Sequence, residues 1–118
     1  MKIADILIEL NLQQDRFYHG TSTAKPRSTS GLYVTNHQGW AQVYAKTAVE
    51  QYGGKPIVLT GHIRATNPKM VNDDEIEQLG YDDAHIVSLS QQGYDCAMRD
   101  DGQEVFLFSY RDFIPMEV

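Results

Sequence analysis

Three short segments of the 118-residue chain set polar groups into apolar or glycine-rich surroundings, and each could handle a ligand. The first is Tyr18-His19-Gly20-Thr21. A histidine at the end of a strand, followed by glycine, leaves a backbone amide and carbonyl approachable because no Cβ stands over them. A planar carboxamide could pair with that backbone while the imidazole donates to a nearby hydroxyl; a histidine satisfied within a turn is the alternative. The second is Gly31-Leu32-Tyr33-Val34-Thr35, with Tyr44-Ala45 following eleven residues after Tyr33. Two tyrosines placed so could face each other across a slot one ring wide and hold a flat heteroaromatic, or be half-buried core residues with wet hydroxyls. The third is Glu104, which opens the apolar run Val105-Phe106-Leu107-Phe108 just after the Asp100-Asp101-Gly102 turn, with Gln103 between. An acid at that rim could hold a ribose hydroxyl and stabilise positive charge developing on an anomeric carbon; the alternative is a solvated glutamate at a strand start.

Other chemistries find less support. His19, His37, His62 and His85 have no close ligand spacing and no HExxH arrangement, so no metal is expected. Cys96, the single cysteine, falls in an apolar strand, and neither a nucleophile elbow nor a GxxxxGK[ST] phosphate loop is present.

These residues need elements to position them. Ile3, Ile6, Leu7 and Leu10 are spaced for an amphipathic helix over residues 2–12. Arg16 to His19 reads as a strand running into a Gly20-Thr21-Ser22 turn, 22–30 as a loop and Gly31 to Thr35 as a second strand. Asn36 is placed to cap a helix of about three turns with Trp40, Val43, Tyr44 and Thr47 on one side, ended by Gly53-Gly54. Pro56 to Arg64 is β-rich and is stopped by Asn67-Pro68. Asn72 followed by Asp73, Asp74 and Glu75 starts a helix, and residues 82–92 form another. Gly93 to Met98 and Glu104 to Ser109 form a hairpin about the Asp-Asp-Gly turn, and Arg111 to Pro115 adds an edge segment. Strands separated by helices make the class α+β with a mostly antiparallel sheet.

The length fits a single domain over residues 1–118, and 42% hydrophobic residues suffice for a core. A net charge of −6 repels phosphate backbones, so nucleic-acid binding is not expected. Lys25 with Arg27 remains a local basic spot for one phosphorylated ligand. No stretch has the length and apolarity of a membrane span or a secretory leader, and one thiol fits a reducing compartment, so a cytoplasmic location is expected.

Taken in order, the three segments resemble the ADP-ribosyltransferase superfamily in its His-Tyr-Glu branch, which includes diphtheria-like toxins and poly(ADP-ribose) polymerases. Tyr18-His19-Gly20-Thr21 is similar to the branch's first motif. Gly31 to Thr35 with Ala41-x-x-Tyr44-Ala45 is similar to the second, and Gly102 to Phe108 to the third. The strand Ile57 to Ile63 between them also falls in the family's order, so the likeness runs from about residue 16 to 115. It implies a split, mostly antiparallel two-sheet fold with NAD as co-substrate in the cleft between the sheets. Gly20 would pair with the nicotinamide carboxamide, with Thr21 beside it, and His19 would contact the adenosine ribose. Tyr33 and Tyr44 would flank the nicotinamide, and Glu104 would hold its ribose and promote cleavage; the basic spot at Arg27 is the candidate for the phosphates on its charge alone. The polymerases of the branch carry a serine where this chain has Ala41, which leaves Thr35 to supply that hydrogen bond or leaves it unmade. No room remains for their elongation machinery, so the implied activity is transfer of one ADP-ribose to a protein. The alternatives are an NAD glycohydrolase and a catalytically silent binding module of the same fold.

Overall fold

In the computed structural model, residues 16–26 and 31–116 are described. The helix expected over 2–12 and the cation Arg27 lie outside them. Along the described residues run β1 (Phe17–Ser22), β2 (Leu32–Thr35), α1 (Gln38–Tyr52), β3 (Pro56–Ile63) and β4 (Pro68–Val71). There follow α2 (Asp73–Leu79), α3 (Asp83–Gln91), β5 (Cys96–Arg99), β6 (Glu104–Leu107), a 3-10 turn at Tyr110–Asp112 and β7 (Phe113–Pro115). The class is α+β, and none of these helices is long and apolar enough to cross a membrane.

The strands form one seven-stranded sheet in the order β4-β5-β6-β2-β1-β3-β7, antiparallel at every junction except β4–β5. Its joints are unequal. β1 registers with β3 along its whole length, from Phe17↔Gly61 to Ser22↔Pro56, but with β2 only at Tyr18↔Thr35. The sheet is therefore two ladders pinched together at one residue pair, and beyond the pinch β1 and β2 part. Side chains from both ladders meet in one cluster, Phe17, Ile63 and Phe113 against Val34, Met98, Val105 and Leu107. A second cluster, Ile76, Leu79 and Leu89 on Val71, Ala97 and Phe106, seats α2 and α3 on the β4-β5-β6 ladder.

α1 seats itself differently. Its buried residues are Ala41, Ala45 and Ala48, while Val43 is 59% exposed. The side that carries Trp40, Val43, Tyr44 and Thr47 is therefore not the fully buried one, because the helix lies directly on the backbone of β1 at Gly20. A Cβ there would stand 1.9 Å from the Ala41 carbonyl oxygen and 2.7 Å from the Ala45 nitrogen. Alanine at one face and glycine at the other permit that approach; Trp40 and Tyr44 then flank the contact.

Local signals place most remaining ends. His37, rather than Asn36, caps α1, its ring accepting from the Trp40 N–H at 3.3 Å, while the Asn36 N–H extends the β2–β6 ladder to Gln103 O at 3.2 Å. Asn72 and Asp82 cap α2 and α3 through Glu75 and His85. β3 ends at Ile63, ahead of Asn67-Pro68 as expected, but Pro68 then opens β4, an edge strand whose first residue needs no donor. The Asp95 carboxylate accepts from the N–H groups of Thr66 and Asn67, each at 2.8 Å, and turns the chain into it, so β5 begins only at Cys96.

Replacing Gly20 tests the α1 contact. Gly20→Ala forces helix and strand apart and should cost about 1–3 kcal/mol or more, read as a lowered urea midpoint. A midpoint equal to that of the wild type would refute the close seating of α1.

Candidate active site

The parting of β1 and β2 opens a cleft of about 1100 Å³. His19, Gly20 and Thr21 of β1, Tyr33 of β2, Tyr44 of α1 and Glu104 of β6 all line it, so the described residues singled out from the sequence converge on one cavity.

Gly20 owes its orientation to strand parity. The N–H and C=O of one residue in an extended strand point to the same side, and those of the next residue to the other. The Thr23 N–H donates to Lys55 O at 2.9 Å, continuing the β1–β3 ladder, so the odd residues of β1 bond toward β3. Gly20 then directs its N–H and C=O to the opposite side, where β2 has already diverged. The strand does not end at His19, as its sequence suggests; it continues to Ser22, and the polar edge it exposes is part of an extended strand.

His19 bridges the opening. Its Nδ1 lies 2.9 Å from the carbonyl oxygen of Tyr33, which can only accept, so Nδ1 carries the proton. Burial holds the imidazole below its ordinary value of 6.5, partly opposed by that hydrogen bond and aided by Lys25. The neutral ring with Nδ1 protonated offers Nε2 as an acceptor. His19 is therefore set to accept from a ligand hydroxyl, the reverse of the donation expected from the sequence. Its ring lies 6.4 Å from that of Phe113.

The two tyrosines are not equivalent. The Tyr33 hydroxyl donates to the carbonyls of Ile76 (2.7 Å) and Glu77 (3.0 Å) and accepts from the Gly80 N–H (2.9 Å), so it ties β2 to the end of α2. Its ring packs on Phe106 at 4.6 Å between centroids, and burial pushes its pKa up. The Tyr44 hydroxyl instead donates to Glu104 Oε2 across the cleft. Burial, then that carboxylate, push the Tyr44 phenol far up, so it stays protonated. Glu104 stands opposite Thr35 in the β2–β6 ladder. Thr35 itself is fully buried, donates to Gln103 O at 2.7 Å and accepts from the His37 N–H at 3.1 Å, so its hydroxyl is spent inside the fold and is not open to a ligand, contrary to the expectation for it.

Sequence reasoning missed the far wall. Arg64 and Arg111 line the cleft with Lys25, and Leu59 and Phe113 supply apolar surface between them. An exposed arginine at a strand end carries no local signal; strand pairing of β3 with β7 brings these two together. Tyr81, 91% exposed, and Glu77 stand at the opposite rim. Arg99 is engaged elsewhere, by Asp101 at 2.8 Å, Asp73 at 3.3 Å and the Trp40 ring at 4.6 Å.

The depressed pKa of His19 makes stability depend on pH. The unfolded chain takes up a proton near 6.5 while the folded chain resists it, so the contribution is complete above that value. It is lost as the pH falls through the folded value. Melting temperatures measured from about pH 7 to about pH 5 should drop more steeply for the wild type than for His19→Asn. Parallel curves would show that His19 is not held neutral.

No protein-family model matches the chain, and no curated protein or solved structure matches it.

Proposed function

We propose that the protein is a mono-ADP-ribosyltransferase that cleaves NAD at the nicotinamide–ribose bond and transfers ADP-ribose to a protein acceptor. The observation that carries this reading is the meeting of His19, Gly20, Tyr33, Tyr44 and Glu104, from four separate elements, on one cleft where β1 leaves β2. The pinched sheet also suits the split two-sheet fold that the motifs imply.

Each residue then has a task suited to its environment. Gly20 offers its N–H and C=O to a carboxamide, the pairing a missing strand would otherwise make, and Thr21 borders it. Tyr33 and Tyr44 provide ring surface on either side of the nicotinamide. His19 accepts from the adenosine ribose through Nε2. Lys25, Arg64 and Arg111 offer positive charge to the diphosphate in a protein whose net charge is −6. Glu104 holds a hydroxyl of the nicotinamide ribose and stabilises the positive charge that spreads over the sugar as the bond breaks. The C1′–N bond breaks with its electron pair leaving on nicotinamide, and the acceptor nucleophile bonds C1′ and gives up its proton.

Incubation with labelled NAD and a cell lysate should release nicotinamide over hours and leave label on protein. Label appearing only as free ADP-ribose would make the protein a glycohydrolase, and no binding at millimolar NAD would remove the enzyme altogether. Glu104→Gln keeps shape and an acceptor but loses the charge. It should leave NAD affinity nearly unchanged and cut turnover roughly a hundredfold. A folded Glu104→Gln protein that turns over at the wild-type rate would take Glu104 out of the mechanism.

A further inference from the structure

We infer that the Tyr44 hydroxyl is a positioning group for Glu104, separable from the ring surface that Tyr44 gives to the ligand; this rests on the reading of Glu104 as the charge-stabilising residue. Tyr44 and Glu104 are 60 residues apart in the chain. α1 carries the tyrosine and is fixed by the buried Ala41, Ala45 and Ala48 on the backbone of Gly20. β6 carries the glutamate and is fixed at that point by pairing with the fully buried Thr35. The phenol–carboxylate bond thus joins two rigid supports across the cleft.

A carboxylate on two rotatable side-chain carbons is a poorly aimed charge unless something holds it. Tyr44 takes Oε2, which leaves Oε1 to meet a sugar hydroxyl. Two polar groups whose charges act on the Tyr44 phenol are committed elsewhere. The Tyr33 hydroxyl is bound by the end of α2, and Arg99 is bound by Asp101 and Asp73. The high proton affinity of the phenol keeps it a donor throughout the range in which the protein would work. Tyr33 and Tyr44 accordingly divide the labour: both offer rings, and only Tyr44 orients the acid.

The test is a double-mutant cycle on the full chain, with NAD affinity read by calorimetry and nicotinamide release read at saturating NAD. Tyr44→Phe keeps the ring, so NAD affinity should stay within about threefold, while release should slow roughly tenfold or more, as for loss of a hydrogen bond to a charged group. Tyr44→Ala should weaken binding as well. In a Glu104→Gln background, Tyr44→Phe should change release less than about twofold, because the group it acts through is gone. A structural role would give the same fold-loss in both backgrounds and would overturn the proposal. So would a Tyr44→Phe protein that releases nicotinamide at the wild-type rate, or one that no longer folds. A wild type that neither binds nor cleaves NAD overturns the parent reading together with this one; an active wild type with an indifferent Tyr44→Phe overturns this one alone.

Discussion

Where Ala41 and Ala45 of α1 meet Gly20, helix and strand touch main chain to main chain, with no side chain between them. Much of the cleft follows from that approach. It sets the height of α1 above β1, and so the reach of Tyr44 toward β6. It also occupies one face of β1 with a helix, while the edge beside β2 stays open to the cleft. The same glycine serves both ends: its missing Cβ admits the helix, and its amide and carbonyl face the opening.

The second constraint is the pinch at Tyr18↔Thr35. A sheet that parts in its middle leaves backbone donors and acceptors without a neighbouring strand, and such groups need other partners. His19 answers part of that need by donating from its ring to the Tyr33 carbonyl, a side chain standing in for a ladder bond. Charge is sorted along the same opening. Between Lys69 and Arg99 the chain has no lysine or arginine and carries Asp73, Asp74, Glu75, Glu77, Asp82, Asp83 and Asp95. Glu77 reaches one rim of the cleft from that stretch, while Lys25, Arg64 and Arg111 hold the far wall.

Much of this was legible in the sequence where a signal is local. The Asp100-Asp101-Gly102 turn, with Gly102 at φ 75°, the cap at Asn72 and the approximate bounds of β2 and α3 come from residues within a few positions of each other. His19, Tyr33, Tyr44 and Glu104 were legible as candidates because each interrupts an otherwise apolar or glycine-rich pattern. What was hidden depends on distant partners. The inner face of α1 was hidden because large apolar residues outweigh alanines in any pattern, and only Gly20, on another strand, explains why small ones are inside. β4 was hidden behind Pro68, which marks a break locally but starts an edge strand once β5 lies beside it. The direction of the His19 hydrogen bond needed the Tyr33 carbonyl, and the different duties of two tyrosines needed α2 and Glu104.

Strand parity makes β1 intolerant of changes in length. Deleting one residue between Phe17 and Gly20 would leave every later position bonding to the wrong neighbour, so that Gly20's polar groups would turn into the β3 ladder and a side-chain-bearing residue would meet α1. No substitution elsewhere restores that arrangement. Lengthening the chain after Thr23 carries no such penalty, because the alternation that orients Gly20 is complete by there. Variation in chain length among proteins that share this cleft should therefore collect outside β1, and the spacing from Tyr18 to Ser22 should act as a fixed ruler.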